Sequence, residues 1–179
     1  MTEPKYLRPE LFEAIARRTI KKCYPQLLLE AETEIPIEEM IEKLGLSLEY
    51  QYIRKDGRIL GETIFTDAYI PLYNIDKKKY ELVYMSRGTI IIDASLLTCN
   101  SGRLRFTCAH ELAHWLIHQE QYCTCDSIDD TDDRITKSSD ADKMVERQAD
   151  MLACALLMPI NLVKRSFYRT EGDDVARTE

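Results

Sequence analysis

Apolar residues recur along the chain at two different periods, which divide it into helical and extended parts. Over residues 9–30 they recur every three or four positions, which predicts a helix that begins at Pro9. Pro25 is expected to break or kink this helix, because proline lacks a backbone N–H. A second helix is predicted after Pro36, ending at Gly45, since glycine is favoured just beyond a helix C-terminus.

The middle of the chain has a different pattern. From residue 46 to about residue 93, apolar and polar residues alternate between turn signals, which is typical of short β-strands. The lysines at 77–79 and the Arg87-Gly88 pair are predicted turns. Together these segments predict a small, mainly antiparallel sheet. Its strands are expected at Leu46–Ile53, Ile59–Thr66, Ala68–Tyr73, Tyr80–Met85 and Thr89–Asp93.

Residues 105–118 predict an amphipathic helix that carries all three histidines of the chain. His110 and His114 are four residues apart, so they lie on one helical face, where two neutral imidazoles can bind one cation such as zinc. Glu111 completes the pattern His-Glu-x-x-His and can accept a proton from water at the metal. The competing interpretation is a chance match on an ordinary helix, which would leave several costly polar groups without a use.

An almost wholly apolar segment over residues 144–158 predicts another helix. Its two acids, Glu146 and Asp150, are four residues apart and share a face. By themselves these acids fit two interpretations equally well. They are either carboxylates on the helix surface beside Arg147, or carboxylates that bind a cation together with the histidine helix. Together with the two histidines the second is favoured, because His2Glu is a known catalytic zinc set. Asp150 would then accept a hydrogen bond from a zinc-bound histidine.

Residues 119–143 are predicted to form an acidic, mobile loop, with seven aspartates between positions 126 and 142. The pattern of a calcium-binding EF-hand loop is absent, so a solvated loop is favoured over a calcium site. Cys123 and Cys125 could form a second soft-metal site with His118. Metal-free thiols are favoured, because this spacing matches no structural zinc pattern.

Composition narrows the possible classes of protein. The chain has 179 residues, of which 45% are hydrophobic, which is enough for the core of one domain. A net charge of −7 argues against direct nucleic-acid binding, which needs a basic face. We expect no membrane association, because no run of 18 apolar residues occurs. The N-terminal residues lack the apolar core of a signal peptide, so a cytoplasmic location is expected.

Two separate blocks of sequence agree with one known family. Residues 105–114 (Arg-Phe-Thr-Cys-Ala-His-Glu-Leu-Ala-His), then 146–150 (Glu-Arg-Gln-Ala-Asp) and 156–159 (Leu-Leu-Met-Pro), resemble the ImmA/IrrE metallo-endopeptidases. The resemblance covers residues 36–165. It implies an α+β fold, a compact zincin-like domain whose sheet packs on the histidine helix and a second ligand helix. The implied zinc ligands are His110, His114 and Glu146, with Glu111 as general base.

The resemblance also implies a partner and an organisation of the chain. Family members are similar to proteases that cut helix-turn-helix transcriptional repressors at specific sites. We expect one domain over residues 1–179, with a helical arm at 1–35 and a metallopeptidase core at 36–165. The main alternative is a metal-bound module that binds or senses a repressor without cutting it. A structural protein without metal is a third possibility.

Two features of the expected peptidase are less defined by sequence. The oxyanion needs a second electrophile, for which His118, Tyr69, Tyr73 and Tyr168 are candidates. The peptide substrate is expected to extend along a sheet edge, since strand addition gives a protease a peptide-shaped site. Thr89–Asp93 is the strand predicted for that edge.

Overall fold

Seven α-helices lie in the parts of the chain that the structure, a computed structural model, describes, which are residues 7–28, 34–123 and 140–176. A short 3-10 helix, Pro25–Leu28, follows the first of them. As the prolines predicted, the first helix begins at Pro9 and ends before Pro25. The helices are α1 (Pro9–Cys23), α2 (Ile37–Lys43), α3 (Leu96–Cys99), α4 (Ser101–Ile117), α5 (Gln119–Cys123), α6 (Asp140–Leu157) and α7 (Ile160–Ala176).

Five strands lie between α2 and α3, where the alternating pattern predicted them. They form a three-stranded sheet in the order β1-β5-β2 and a separate β3-β4 hairpin. Two of the three pairings are antiparallel, and β1 pairs with β5 in parallel, so the prediction of a small, mainly antiparallel α+β fold is confirmed. The strands are β1 (Ser47–Gln51), β2 (Gly61–Thr63), β3 (Ala68–Asn74), β4 (Lys79–Met85) and β5 (Thr89–Asp93).

The prediction that Thr89–Asp93 forms a sheet edge is wrong. This strand, β5, lies in the centre of the three-stranded sheet, with β1 on one side and β2 on the other, and all five of its residues are buried. A strand covered on both faces carries a nearly continuous apolar run, here Ile90 to Ile92. That run was a signal for a central strand.

The main core lies between the sheet and the helices. Helix α4 packs against α6, and α1 also packs against α6. Phe12, Ala16 and Ile20 of α1 are buried in the same cluster as Leu112 of α4 and Leu152 of α6. Burial of such side chains contributes roughly 1.5–3 kcal/mol each. The two helices that carry the site residues are therefore held in a fixed relation to each other.

The β3-β4 hairpin has its own smaller cluster and an aromatic outer face. Leu72 and Met85 pack with Ile53, Ile64 and Ile91. On the opposite face the ladder pairs tyrosines edge to face, with ring centroids 5.5 Å apart for Tyr69 with Tyr84 and 5.4 Å for Tyr73 with Tyr80. The predicted turns after β3 and before β5 are present, with a positive φ at Lys78 and at Gly88.

The only tryptophan of the chain, Trp115, lies on α4 directly after His114. Its ring stacks on Phe65, with centroids 5.8 Å apart. Arg87 also contacts Trp115. Its guanidinium carbon lies 5.3 Å from the centroid of the indole ring, a favourable distance for a cation–π interaction. These contacts join α4 to the segments on either side of the β3-β4 hairpin.

Helices occupy both ends of the segment predicted as an acidic loop. Residues 119–123 form α5, and α6 already begins at Asp140. The rest of that prediction, including Cys125, lies outside the described residues, as does the side chain of Cys123. In the described parts of the chain, no helix combines the length and the apolar character needed to cross a membrane. The proposed limits of an N-terminal arm and a core stay predictions.

Candidate metal centre

Three side chains from two helices converge at one point. His110 and His114 project from α4, and Glu146 projects from α6. Their possible ligand atoms all lie within 4.8 Å of one another. The Nε2 atoms of the two histidines are 3.0 Å apart, and the Glu146 carboxylate oxygens lie 3.2 Å from His110 Nε2 and 3.5 Å from His114 Nε2. The structure thus brings together the three residues that the sequence predicted as ligands.

The donor set fits a divalent metal. Two imidazole nitrogens and one carboxylate are the ligands of catalytic zinc sites, which keep a further position open. Contacts of Glu146 with both histidines lower the pKa of its carboxyl group. Burial acts to lower the pKa of His110, but the Glu146 bond and nearby carboxylates outweigh it and raise that pKa. The site therefore attracts positive charge, which a metal ion can supply.

Asp150 lies behind His110 on the side away from the other ligands. Its Oδ1 is 2.9 Å from His110 Nδ1. Because a carboxylate only accepts, this contact places the ring proton of His110 on Nδ1 and leaves Nε2 available as a ligand. The side chains of Glu146 and Asp150 are 58% and 55% exposed. Both are thus surface carboxylates, and both also face the histidine helix.

Glu111 is the buried acid of the site, with 7% of its surface exposed. Burial raises the pKa of its carboxyl group, while the charges of the two histidines and a hydrogen bond from Thr63 oppose the rise. The Thr63 hydroxyl lies 2.8 Å from Glu111 Oε2 and 3.0 Å from the Glu111 backbone oxygen. A side chain that points into the site is thus held from outside its own helix.

Gly61, two residues before Thr63 on β2, leaves room for the same carboxylate. A Cβ at this position would lie 2.5 Å from Glu111 Oε1 and 2.6 Å from its Cγ, closer than real side chains approach. The sequence analysis missed both Gly61 and Thr63. A glycine inside an alternating strand was the available signal, since it often marks a close approach of another group.

His118, the third histidine of α4, is fully buried behind His114. Its Nδ1 lies 3.0 Å from His114 Nδ1, and its Nε2 lies 3.1 Å from Gln148 Oε1. Burial lowers the pKa of His118 to about 4, with a smaller contribution from His114 and an opposing one from the Gln148 bond. Both ring nitrogens of His118 thus have partners, and its oxyanion or auxiliary role stays a prediction.

The tyrosine candidates for the oxyanion lie outside the two helices that carry the candidate ligands. Tyr69 and Tyr73 lie on β3, where each contacts a tyrosine of β4. Tyr168 lies on α7, is exposed, and contacts Phe167. The choice among them stays a prediction.

Comparisons with known proteins bear on the family of the chain. A comparison with curated proteins finds no match. Residues 67–177 match the IrrE N-terminal-like domain of the M78 peptidases, a metal-dependent group. The match includes the ligand helices α4 and α6, whereas β2, with its two contacts to Glu111, lies before its first residue. Since more than half of the chain is matched, the protein belongs to the IrrE N-terminal-like family of M78 peptidases.

Proposed function

We propose that this protein is a zinc-dependent endopeptidase that hydrolyses a specific peptide bond in a helix-turn-helix transcriptional repressor. The observation that carries the proposal is the convergence of His110, His114 and Glu146 within 4.8 Å beside the buried carboxylate of Glu111. Membership of a peptidase family supports the reaction class. The identity of the metal and of the substrate belongs to the proposal.

The three converging residues are the proposed ligands. His110 Nε2, His114 Nε2 and a Glu146 oxygen would hold the ion, and Asp150 would orient the His110 ring through Nδ1. A zinc ion in such a site lowers the pKa of bound water to near neutrality and polarises a carbonyl oxygen. Every other step is assigned to residues of the chain.

Glu111 is the proposed general base and acid. It takes a proton from the water molecule that attacks the peptide carbonyl, and it then gives a proton to the leaving amine nitrogen. Its burial raises the pKa of its carboxyl group, which makes the carboxylate a stronger base for taking the proton. The Thr63 hydroxyl takes no part in this proton transfer. It holds the Glu111 carboxylate in place by donating a hydrogen bond to it.

The free side of β2 is the proposed binding edge for the peptide. The backbone groups of Leu60 and Ile64 form hydrogen bonds on the side of β2 that faces β5. Along an antiparallel strand, successive residues direct their backbone groups to alternate sides. The backbone groups of Gly61 and Thr63 therefore point to the other side. Because these two residues contact Glu111, a peptide added to this edge would pass the catalytic carboxylate.

Charge and chemistry support a protein substrate rather than DNA. The net charge of −7 repels nucleic acid but attracts a basic partner, and DNA-binding repressors carry basic surfaces. We place the protein in the cytoplasm, where such repressors act. The free thiols of Cys23, Cys108 and Cys154 are those expected in a reducing compartment.

A cleavage assay tests the proposal. Zinc-loaded protein is mixed with candidate helix-turn-helix repressors, and products are followed on gels and by mass spectrometry. The wild type should give two defined fragments, while Glu111→Gln should give none and still contain one metal ion. A stable complex without fragments would instead support a binding module, and cleavage by the Glu111→Gln variant would remove the assigned base.

A further inference from the structure

A buried row of three polar side chains extends from the metal centre into the protein. His114 is 5% exposed, His118 is fully buried and Gln148 is 5% exposed. The row runs from His114 Nδ1 to His118 Nδ1 over 3.0 Å, and from His118 Nε2 to Gln148 Oε1 over 3.1 Å. Since water has little access to this row, His114 Nδ1 and both ring nitrogens of His118 find their hydrogen-bond partners within it.

We propose that His118 and Gln148 are positioning residues that fix the tautomer of His114, so that its Nε2 is always presented to the metal as an unprotonated ligand. The inference rests on the proposed metal site and concerns residues that do not touch the ion. The proposal gives a role to His118, the third histidine. This residue belongs neither to the His-Glu-x-x-His motif nor to the set of proposed ligands.

The direction of the hydrogen bonds follows from the end of the row. An amide oxygen only accepts, so His118 Nε2 must carry the ring proton that it donates to Gln148 Oε1. In a neutral imidazole the other nitrogen then has no proton and accepts. His118 Nδ1 therefore accepts from His114 Nδ1–H, and the lone pair of His114 is left on Nε2, which lies 3.0 Å from His110 Nε2 in the ligand cluster.

The opposite direction would disable the ligand. If the amide nitrogen of Gln148 faced His118, it would donate to His118 Nε2, His118 Nδ1 would donate to His114 Nδ1, and His114 Nε2 would carry a proton. The single orientation of one amide group on α6 thus decides whether His114 can bind metal. Because Gln148 is two residues beyond Glu146, the same turn of α6 supplies one ligand and controls another.

Nitrogen NMR tests the tautomers directly, because the chain has only three histidines. The full chain is labelled with 15N in histidine, and long-range proton–nitrogen spectra are recorded without metal and with one equivalent of Zn²⁺. We expect protonated Nδ1 and unprotonated Nε2 in His114, and the reverse in His118, in the metal-free protein. A proton on His118 Nδ1 would overturn the proposal, whether or not the protein proves to be a peptidase.

Zinc affinity tests the consequence, by competition with a coloured chelator. Gln148→Leu removes the acceptor and should weaken zinc binding about 10- to 100-fold, whereas Gln148→Glu keeps an acceptor and should bind nearly as the wild type does. Gln119→Leu is the matched control, because Gln119 follows His118 but bonds to the Trp115 backbone oxygen, and its affinity should not change.

The outcomes separate this inference from the proposed function. Equal affinity in the wild type and Gln148→Leu, or equal losses in Gln148→Leu and Gln148→Glu, would show that Gln148 acts only through packing and would overturn the inference. A wild type that binds no zinc would overturn the proposed function, while the tautomers of the metal-free protein would still decide the direction of the hydrogen bonds.

Discussion

The hydroxyl of Thr63 donates a hydrogen bond to the carboxylate of Glu111 across 2.8 Å, from a strand to a helix 48 positions further along the chain. The same hydroxyl lies 3.0 Å from the Glu111 backbone oxygen, so its position relative to the helix is fixed by two acceptors. An acid that moves protons during a reaction needs such an outside support, because its own helix fixes only its Cα and Cβ.

Replacing Thr63 with valine should lower kcat without removing the metal. The change preserves shape but deletes a hydrogen bond to a charged group, which contributes about 1.5–3 kcal/mol. We therefore expect kcat to fall about tenfold or more, measured with the proposed repressor substrate. Thr63→Ser restores the hydroxyl and should recover most of the rate. A serine variant as slow as the valine variant would show that the methyl group, and not the bond, matters.

Replacing Gly61 with alanine should also reduce activity, but for a steric reason. The added Cβ would lie 2.5 Å from Glu111 Oε1, so the carboxylate must move or β2 must shift, at a cost of about 1–3 kcal/mol. We expect activity to fall at least about tenfold with the metal content unchanged. Gly102→Ala is the control, since only the end of the Asn100 side chain lies near its Cβ. Full activity in Gly61→Ala would contradict the close approach.

Removing the Glu146 or the Asp150 carboxylate should weaken metal binding to different degrees. Glu146→Ala removes a ligand, so purified protein should lose its bound metal, as measured by elemental analysis. Asp150→Leu removes only the acceptor for His110 Nδ1 and should weaken affinity about 10- to 100-fold. Asp150→Asn keeps an acceptor oxygen and should lose much less. Unchanged metal content in Glu146→Ala would remove the third ligand from the proposal.

Metal removal should lower the thermal stability of the protein. An ion that binds only the folded state at 100 times its Kd adds about 2.7 kcal/mol to the free energy of unfolding. In a domain of this size that raises Tm by about 5–10 °C. Scanning calorimetry with zinc and with a chelator measures the difference. The Glu146→Ala variant should show almost none, and an equal shift in that variant would point to a metal site elsewhere.

Asp67 should give the hairpin a pH-dependent contribution to stability. Its carboxylate accepts from the backbone N–H of Arg87 at 2.7 Å and from the Tyr84 hydroxyl at 3.1 Å, and these bonds lower its pKa. The pKa of an Asp carboxyl group in the unfolded chain is about 3.9. Because the pKa is lower in the folded state, the stabilisation is present above pH 3.9 and is lost as the pH falls through the pKa of the folded state. Unfolding titrations of wild type and Asp67→Asn should therefore differ at pH 7 and converge in acid. A constant difference would contradict this assignment.

The sequence predicted the parts of this structure that depend on local patterns. Helical spacing predicted α4 and its candidate ligand pair, and the prolines placed both ends of α1, because these signals act within one or two turns. Glu146 was found because its spacing to Asp150 could be combined with a known ligand set. Both acids turned out to be half exposed, since the apolar pattern of α6 does not reveal how far it packs against α4.

Contacts between distant segments could not be predicted in the same way. The order β1-β5-β2 depends on a parallel pairing of Ser47 with Thr89, which no local signal specifies, so the central strand was taken for an edge. Thr63 and Gly61 matter only because β2 lies against α4. His118 was only one of four candidates for the oxyanion, because the side on which each histidine lies depends on the packing of α6.

Trp115 gives the protein a built-in fluorescent probe. The indole is the only one in the chain, follows a proposed ligand directly, and stacks on Phe65 within 5.8 Å. Excitation at wavelengths that tyrosine does not absorb therefore reports on a single place in the molecule. Emission can follow ion capture and loss in real time in the natural sequence, without an attached dye.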